Sequence, residues 1–90
     1  MVFIKVQNTY EHKYLRMDLW NTPVLAVSIN SAHKFETVEE AVELIRKFNL
    51  VSTGYVHDVI DFNTDNVLAT CSLQIDKKSG KLSLDVKYAK

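Results

Sequence analysis

Thr37-Val38-Glu39-Glu40-Ala41-Val42-Glu43-Leu44-Ile45-Arg46-Lys47-Phe48 is the stretch with helical grammar, and alternating segments stand on both sides of it. Thr37 and Glu40 form a capping box, in which the threonine hydroxyl accepts from the Glu40 amide and the Glu40 carboxylate answers the Thr37 amide. Val38, Ala41, Val42, Ile45 and Phe48 then recur at helical spacing and make one apolar stripe. Glu39, Glu40 and Glu43 lead while Arg46 and Lys47 trail, the order that the helix dipole favours. The stretch predicts one amphipathic helix that starts after Thr37 and ends near Asn49.

Upstream of it the period changes from 3.6 to 2, the mark of half-buried strands. Val2, Ile4 and Val6 alternate with Phe3, Lys5 and Gln7; after a polar connection, Asn8 to Lys13, Leu15, Met17 and Leu19 alternate with Arg16 and Asp18. These two segments predict a hairpin whose other face carries Tyr14 and Trp20. Asn21-Thr22-Pro23 interrupts the pairing, because proline has no N–H to donate, and Leu25, Val27 and Ile29 supply a third inward row. Downstream, Val56, Ile60 and Phe62 alternate with Tyr55, His57, Val59 and Asp61, and Asp58 falls on the apolar row. Val67, Ala69, Cys71, Leu73 and Ile75 form the longest row, answered by Leu82, Leu84, Val86 and Tyr88 across Asp76-Lys77-Lys78-Ser79-Gly80.

The expected fold is therefore α+β: an antiparallel sheet of five or six strands with one amphipathic helix packed on one face, in the order βββαβββ. A helix about 10 Å across cannot cover five or six strands spaced about 4.8 Å apart, so part of the sheet is left for solvent or a partner. With 90 residues, 47% of them hydrophobic, the chain can bury one modest core and reads as one domain over residues 1–90.

Eleven Lys and Arg balance eleven Asp and Glu, which excludes the strongly basic character of a general nucleic-acid binder. Cys71 is the sole cysteine, so no internal disulfide can form, and a reducing compartment is expected. Met1 to Gln7 has Lys5 among its apolar residues and no signal-like run. The longest stretch without Asp, Glu, Lys or Arg, Leu19 to His33, is broken by Asn21, Thr22, Pro23, Ser28, Asn30 and Ser31, too polar for a membrane span. A cytoplasmic protein that makes no use of membrane is the expectation.

The residues that could carry chemistry do not assemble into a reaction. Asp61-Phe62-Asn63-Thr64-Asp65-Asn66 opens like a calcium loop, but Asn66 stands where the turn glycine belongs and Ser72 where a bidentate glutamate belongs. An Asn/Asp-rich hairpin turn accounts for the same residues. His12, His33, His57 and Cys71 lack the close spacing of a zinc set. A Cys71 nucleophile with His57 as base and Asp58 or Asp61 behind it fails on geometry, since the alternation turns His57 outward and Cys71 inward. Gly54 and Gly80 stand alone, so no phosphate-binding loop is present. No catalytic residue, cofactor or metal is assigned.

Two groups remain as candidate partner-binding residues. Tyr14, Arg16, Asp18 and Trp20 share one face of the second strand, and Trp, Tyr and Arg are the types that most often anchor interfaces. Trp20 has an equal structural alternative, folding under the helix to complete the core. Asp58, Asp61 and Asp65 have no Lys or Arg in residues 49–75, which carry −3, whereas residues 76–90 carry +3. The acidic group either steers a basic partner or is neutralised or solvated within the fold. The expected function is a non-enzymatic module with a protein partner. Single-stranded nucleic acid stacked on Tyr14 and Trp20 is the alternative, and a small hydrolase or metal protein comes third. Uncovered sheet at the terminal hairpin also suggests a homodimer.

The passage Ala32-His33-Lys34-Phe35-Glu36-Thr37-Val38-Glu39-Glu40-Ala41, within residues 24–62, resembles a format found in small phage and prophage accessory proteins. The resemblance implies a protein made during infection or carried by a mobile element, of the kind that binds and blocks host machinery, inhibitors of CRISPR effectors among them. No inhibitor motif transfers residue by residue, and Asp58, Asp61 and Asp65 are similar only in kind to the acidic surfaces by which some such inhibitors mimic nucleic acid.

Overall fold

The computed structural model describes residues 1–89. Its strands are β1 (Val2–Val6), β2 (Tyr14–Met17), β3 (Pro23–Ala26), β4 (His57–Asp61), β5 (Val67–Ile75) and β6 (Leu82–Tyr88), with one α-helix, α1 (Val38–Lys47), between β3 and β4. All six strands form one antiparallel sheet in the order β3-β2-β1-β4-β5-β6. The α+β expectation holds, including the single helix on one face. No described helix is long and apolar enough to cross a membrane.

Thr37 caps α1 as its sequence demands: it is extended, and its Oγ1 accepts from the Glu40 amide at 3.2 Å. Asn49, in the left-handed region at φ 51°, stops the helix just after Phe48, an arrangement that asparagine tolerates better than most residues. Ala41, Val42 and Ile45 are buried against β1, β4 and β5, where Val2, Ile4, Val59, Ala69 and Cys71 rise to meet them. The helix lies over the middle of the sheet, so Leu84 and Val86 on β6 reach only the margin of the core. A smaller cluster, Phe3, Ala32 and Ile60 with Tyr14 against it, occupies the opposite face.

Four expectations are corrected. The second strand ends at Met17 rather than Leu19, because the Asp18 side chain captures the next backbone amides into a turn and leaves Leu19 and Trp20 outside the sheet. The third strand takes Pro23 as its first residue, opposite Met17, and stops at Ala26. Proline is tolerated at the first position of an edge strand. Val27 and Ile29 are consequently exposed, and Ile29 begins a 3-10 turn that Ser28 caps. In β4 it is the His57 and Val59 row that faces the helix, while Asp58 and Ile60 face the other way. Finally, the register shifts between Val59 and Ile60: Ala69 lies opposite Val59 but Val67 opposite Ile60, leaving Leu68 as the extra residue of a bulge. The bulge turns Val67 from the expected inward row to the open face beside Ile60.

Candidate protein-binding surface

The β2–β3 turn is built by Asp18. Its Oδ1 accepts from the Trp20 amide at 2.8 Å and the Thr22 amide at 2.9 Å, while its own amide donates to the Thr22 carbonyl at 3.0 Å. Asn21 takes the left-handed conformation at φ 57° and donates its amide to the Asp18 carbonyl. Four bonds within five residues fix a tip from which Leu19 and Trp20 project, 95% and 81% exposed. Trp20 therefore does not complete the core. The choice left open by the sequence falls to the exposed side.

Tyr14 and Arg16 sit on the open face of β2, away from the helix. Lys5 is the register partner of Tyr14, and the tyrosine ring packs against Phe3 with centroids 6.1 Å apart. Tyr14 is thus half-buried in the small cluster, whereas Trp20 stands beyond the strand end. The two aromatics do not make a continuous stacking ladder along β2. Arg16 is exposed between them, opposite Val24.

The open face has a concavity of about 470 Å³ whose lining includes Phe3, Lys5, Tyr14, Asp58, Ile60 and Asp65. Asp58 is only 8% exposed, and both its oxygens are occupied: Gln7 Nε2 donates to Oδ2 at 2.7 Å and Thr70 Oγ1 donates to Oδ1 at 3.1 Å. It ties β4 to the end of β1 and to β5. Asp61 Oδ1 accepts from the amides of Asn63 and Thr64, and Asp65 takes φ 62° to close the same turn. The three aspartates of the acidic segment accordingly do separate work: a buried clasp, a turn builder and an exposed rim. Among the described residues no group of three or more His, Cys, Asp or Glu could hold a metal ion.

His57 reverses the sequence expectation most fully. It is 4% exposed, lies directly opposite Cys71 in the register of β4 and β5, and donates Nδ1–H to the Tyr55 carbonyl at 3.0 Å. Burial holds its imidazole below the ordinary value of 6.5 and pushes the Cys71 thiol up to about 11. A buried, protonated thiol beside a buried, neutral imidazole is poorly suited to nucleophilic work at neutral pH.

Tyr14, Asp58 and Asp65 therefore meet around the open-face concavity, and Asp18 and Trp20 meet in the turn. Asp61 builds a different turn, and Arg16 is exposed on β2 just before the Asp18 turn. Gln7 and Ile60 escaped notice as lining of the concavity, and Thr70 as a donor to Asp58. The available signal was Asp58 itself, an acid in an apolar row. Four residues of the resemblance segment have folding roles: Ala32, Phe35 and Ala41 are buried, Phe35 bridges Val2, and Thr37 caps α1. Compared with protein-family models, curated proteins and solved structures, the chain matches none.

Proposed function

We propose that this protein is a binding module without catalytic chemistry that engages a protein partner through the Leu19–Trp20 tip, flanked by Arg16. The observation that carries this reading is an exposed indole and an exposed isobutyl group on a turn that Asp18 holds in place. Apolar area presented in a fixed conformation loses little entropy when it enters a pocket, and tryptophan is among the residue types most enriched at the energetic centres of interfaces. A partner with an apolar pocket and an acidic rim to meet Arg16 fits the tip.

In its most specific form the module is a phage or mobile-element inhibitor that blocks a host protein by occupying its surface. The resemblance over residues 24–62 supports that form. The lone Cys71 supports work in the cytoplasm.

Affinity capture with the wild-type chain, Trp20→Ala and Val27→Ala tests the reading. One stoichiometric protein is expected with wild type and Val27→Ala and lost with Trp20→Ala. Equal recovery by Trp20→Ala overturns the tip as the site, and loss of the captured protein's activity on binding supports inhibition.

A further inference from the structure

The far edge of the sheet carries a second, independent surface. Asp76 donates its amide to the Lys81 carbonyl and Ala89 donates to the Leu68 carbonyl, at 2.9 and 2.8 Å, and the register between them is unbroken from Ile75↔Leu82 to Ala69↔Tyr88. Hydrogen-bonded pairs alternate along an antiparallel ladder, so Ser83, Asp85 and Lys87 turn their backbone groups toward β5. Leu84, Val86 and Tyr88 turn theirs outward, with nothing beyond β6 in the strand order. Their side chains lie on the helix side, where α1 does not reach the strand's outer half: Tyr88 is exposed, as are Leu82 and Ile75 further along the hairpin. On the open face, Asp85 and Lys87 are two residues apart, and neither forms an ion pair among the described residues.

We infer that β6 pairs antiparallel with β6 of a second copy of this chain, in the register centred on Val86, through Asp85–Lys87 pairs repeated across the two-fold axis. Only registers centred on a residue set outward-turned groups against one another. Centring on Asp85 places the two aspartates face to face, and centring on Leu84 places Lys81 against Lys87, both repulsive. Centring on Ser83 matches Lys81 with Asp85 but joins only the outward groups of Leu82 and Leu84 before the Gly80 turn intervenes. Centring on Val86 matches Asp85 with Lys87 twice, in the close non-hydrogen-bonded positions. It also joins Val86 to Val86 and Leu84 to Tyr88 twice on the helix side. Lysines on an edge strand ordinarily repel a second strand. Here Asp85 between Lys81 and Lys87 makes two registers attractive, and the one centred on Val86 joins more of the outward backbone groups. The pairing goes beyond the turn-borne recognition proposed above and does not rest on it, because β3 and β6 are opposite edges.

Sedimentation of the full chain at micromolar concentrations decides the matter, with folding checked by circular dichroism. The wild type is expected to dimerise, and Asp85→Lys and Lys87→Asp alone to weaken self-association at least tenfold. An equimolar mixture of the two variants is expected to restore a heterodimer, since each repulsive pair becomes attractive. Tyr88→Pro, which removes an outward N–H without touching the bonds to β5, is expected to give a folded monomer whatever the charges do. A wild-type monomer at high micromolar concentration, undiminished dimerisation of the single variants, or rescue of Asp85→Lys by Lys81→Asp in place of Lys87→Asp overturns the inference.

Discussion

His57 and Cys71 face one another across β4 and β5 with both side chains buried on the helix side of the sheet. Burial shifts them in opposite directions: the imidazole below 6.5, the thiol from 9.0 to about 11. Each therefore stays neutral in the folded chain at pH values where the unfolded chain would charge it. Below pH 6.5 the unfolded state binds the additional proton at His57, so stability is lost as the pH falls through the folded-state pKa. Above pH 9.0 the unfolded state releases the Cys71 proton that the folded state keeps until about 11, so stability is lost again as the pH rises. Urea midpoints measured against pH are expected to fall away at both ends, and the alkaline fall to flatten in Cys71→Ala. An alkaline limb unchanged in that variant would remove the thiol as its cause.

Modification of Cys71 is expected to follow opening of the fold. A thiol that is fully buried and protonated at neutral pH presents neither access nor thiolate to a reagent. Labelling by a disulfide reagent at pH 7.5 should be slow in buffer and rapid in denaturant. Rapid stoichiometric reaction of the native chain would contradict the burial.

Thr37 supports α1 from one side only. Its hydroxyl satisfies the Glu40 amide, and Thr37→Ala is expected to cost about 1 kcal/mol, read as a lower denaturant midpoint at unchanged slope. Thr37→Ser, which keeps the oxygen, should recover most of that loss.

The clasp around Asp58 predicts a larger effect from a smaller change. Thr70→Val preserves the shape of the side chain but leaves Asp58 Oδ1 in a largely buried position without its donor. An acceptor left unsatisfied in this way costs about 1–3 kcal/mol. Gln7→Leu, which strips Oδ2 instead, is expected to cost a similar amount. Because both donors act on one carboxyl group, the double variant should depart from additivity, and a double-mutant cycle measures that coupling.

The helix and the terminal hairpin were legible because local periodicity decides both: the Val38 to Ile45 stripe meets the core, and Cys71, Leu73 and Ile75 face Val86, Leu84 and Leu82 as the alternation requires, although Ile75 and Leu82 lie beyond the reach of α1 and stay exposed. Reading failed where a side chain overrode the period. Leu19 continues the row of Leu15 and Met17 in sequence, but the Asp18 carboxylate diverts the backbone before it arrives. In β4 the apolar residues Val56, Ile60 and Phe62 form as good a row as Val59 does. Only the sheet order, with α1 lying on the Val59 side, decides which row is covered. The bulge at Leu68 is likewise invisible in an unbroken run of strand-forming residues. For the surface, exposure of Trp20 turned on whether β2 ran three residues further, a boundary that periodicity does not set.

Trp20 is the single tryptophan, so its fluorescence reports the β2–β3 turn alone. With the indole 81% exposed, emission from the native chain should lie close to that of the unfolded chain, and unfolding should move it little. Trp20→Ala should stay within about 0.5 kcal/mol of the wild type, as exposed substitutions that break no cap, bond or packing contact do. Asp18→Ala acts differently: it removes the acceptor of the Trp20 and Thr22 amides, freeing the turn while leaving the indole in place. Its emission should therefore match the wild type while fluorescence anisotropy falls through faster local motion. A captured partner should shift the wild-type emission to the blue and restrain the indole, and should bind Asp18→Ala more weakly because the freed turn must be ordered again on binding. A strongly blue-shifted native emission in the absence of any partner would mean that the indole is covered, and the tip could not be the recognition surface.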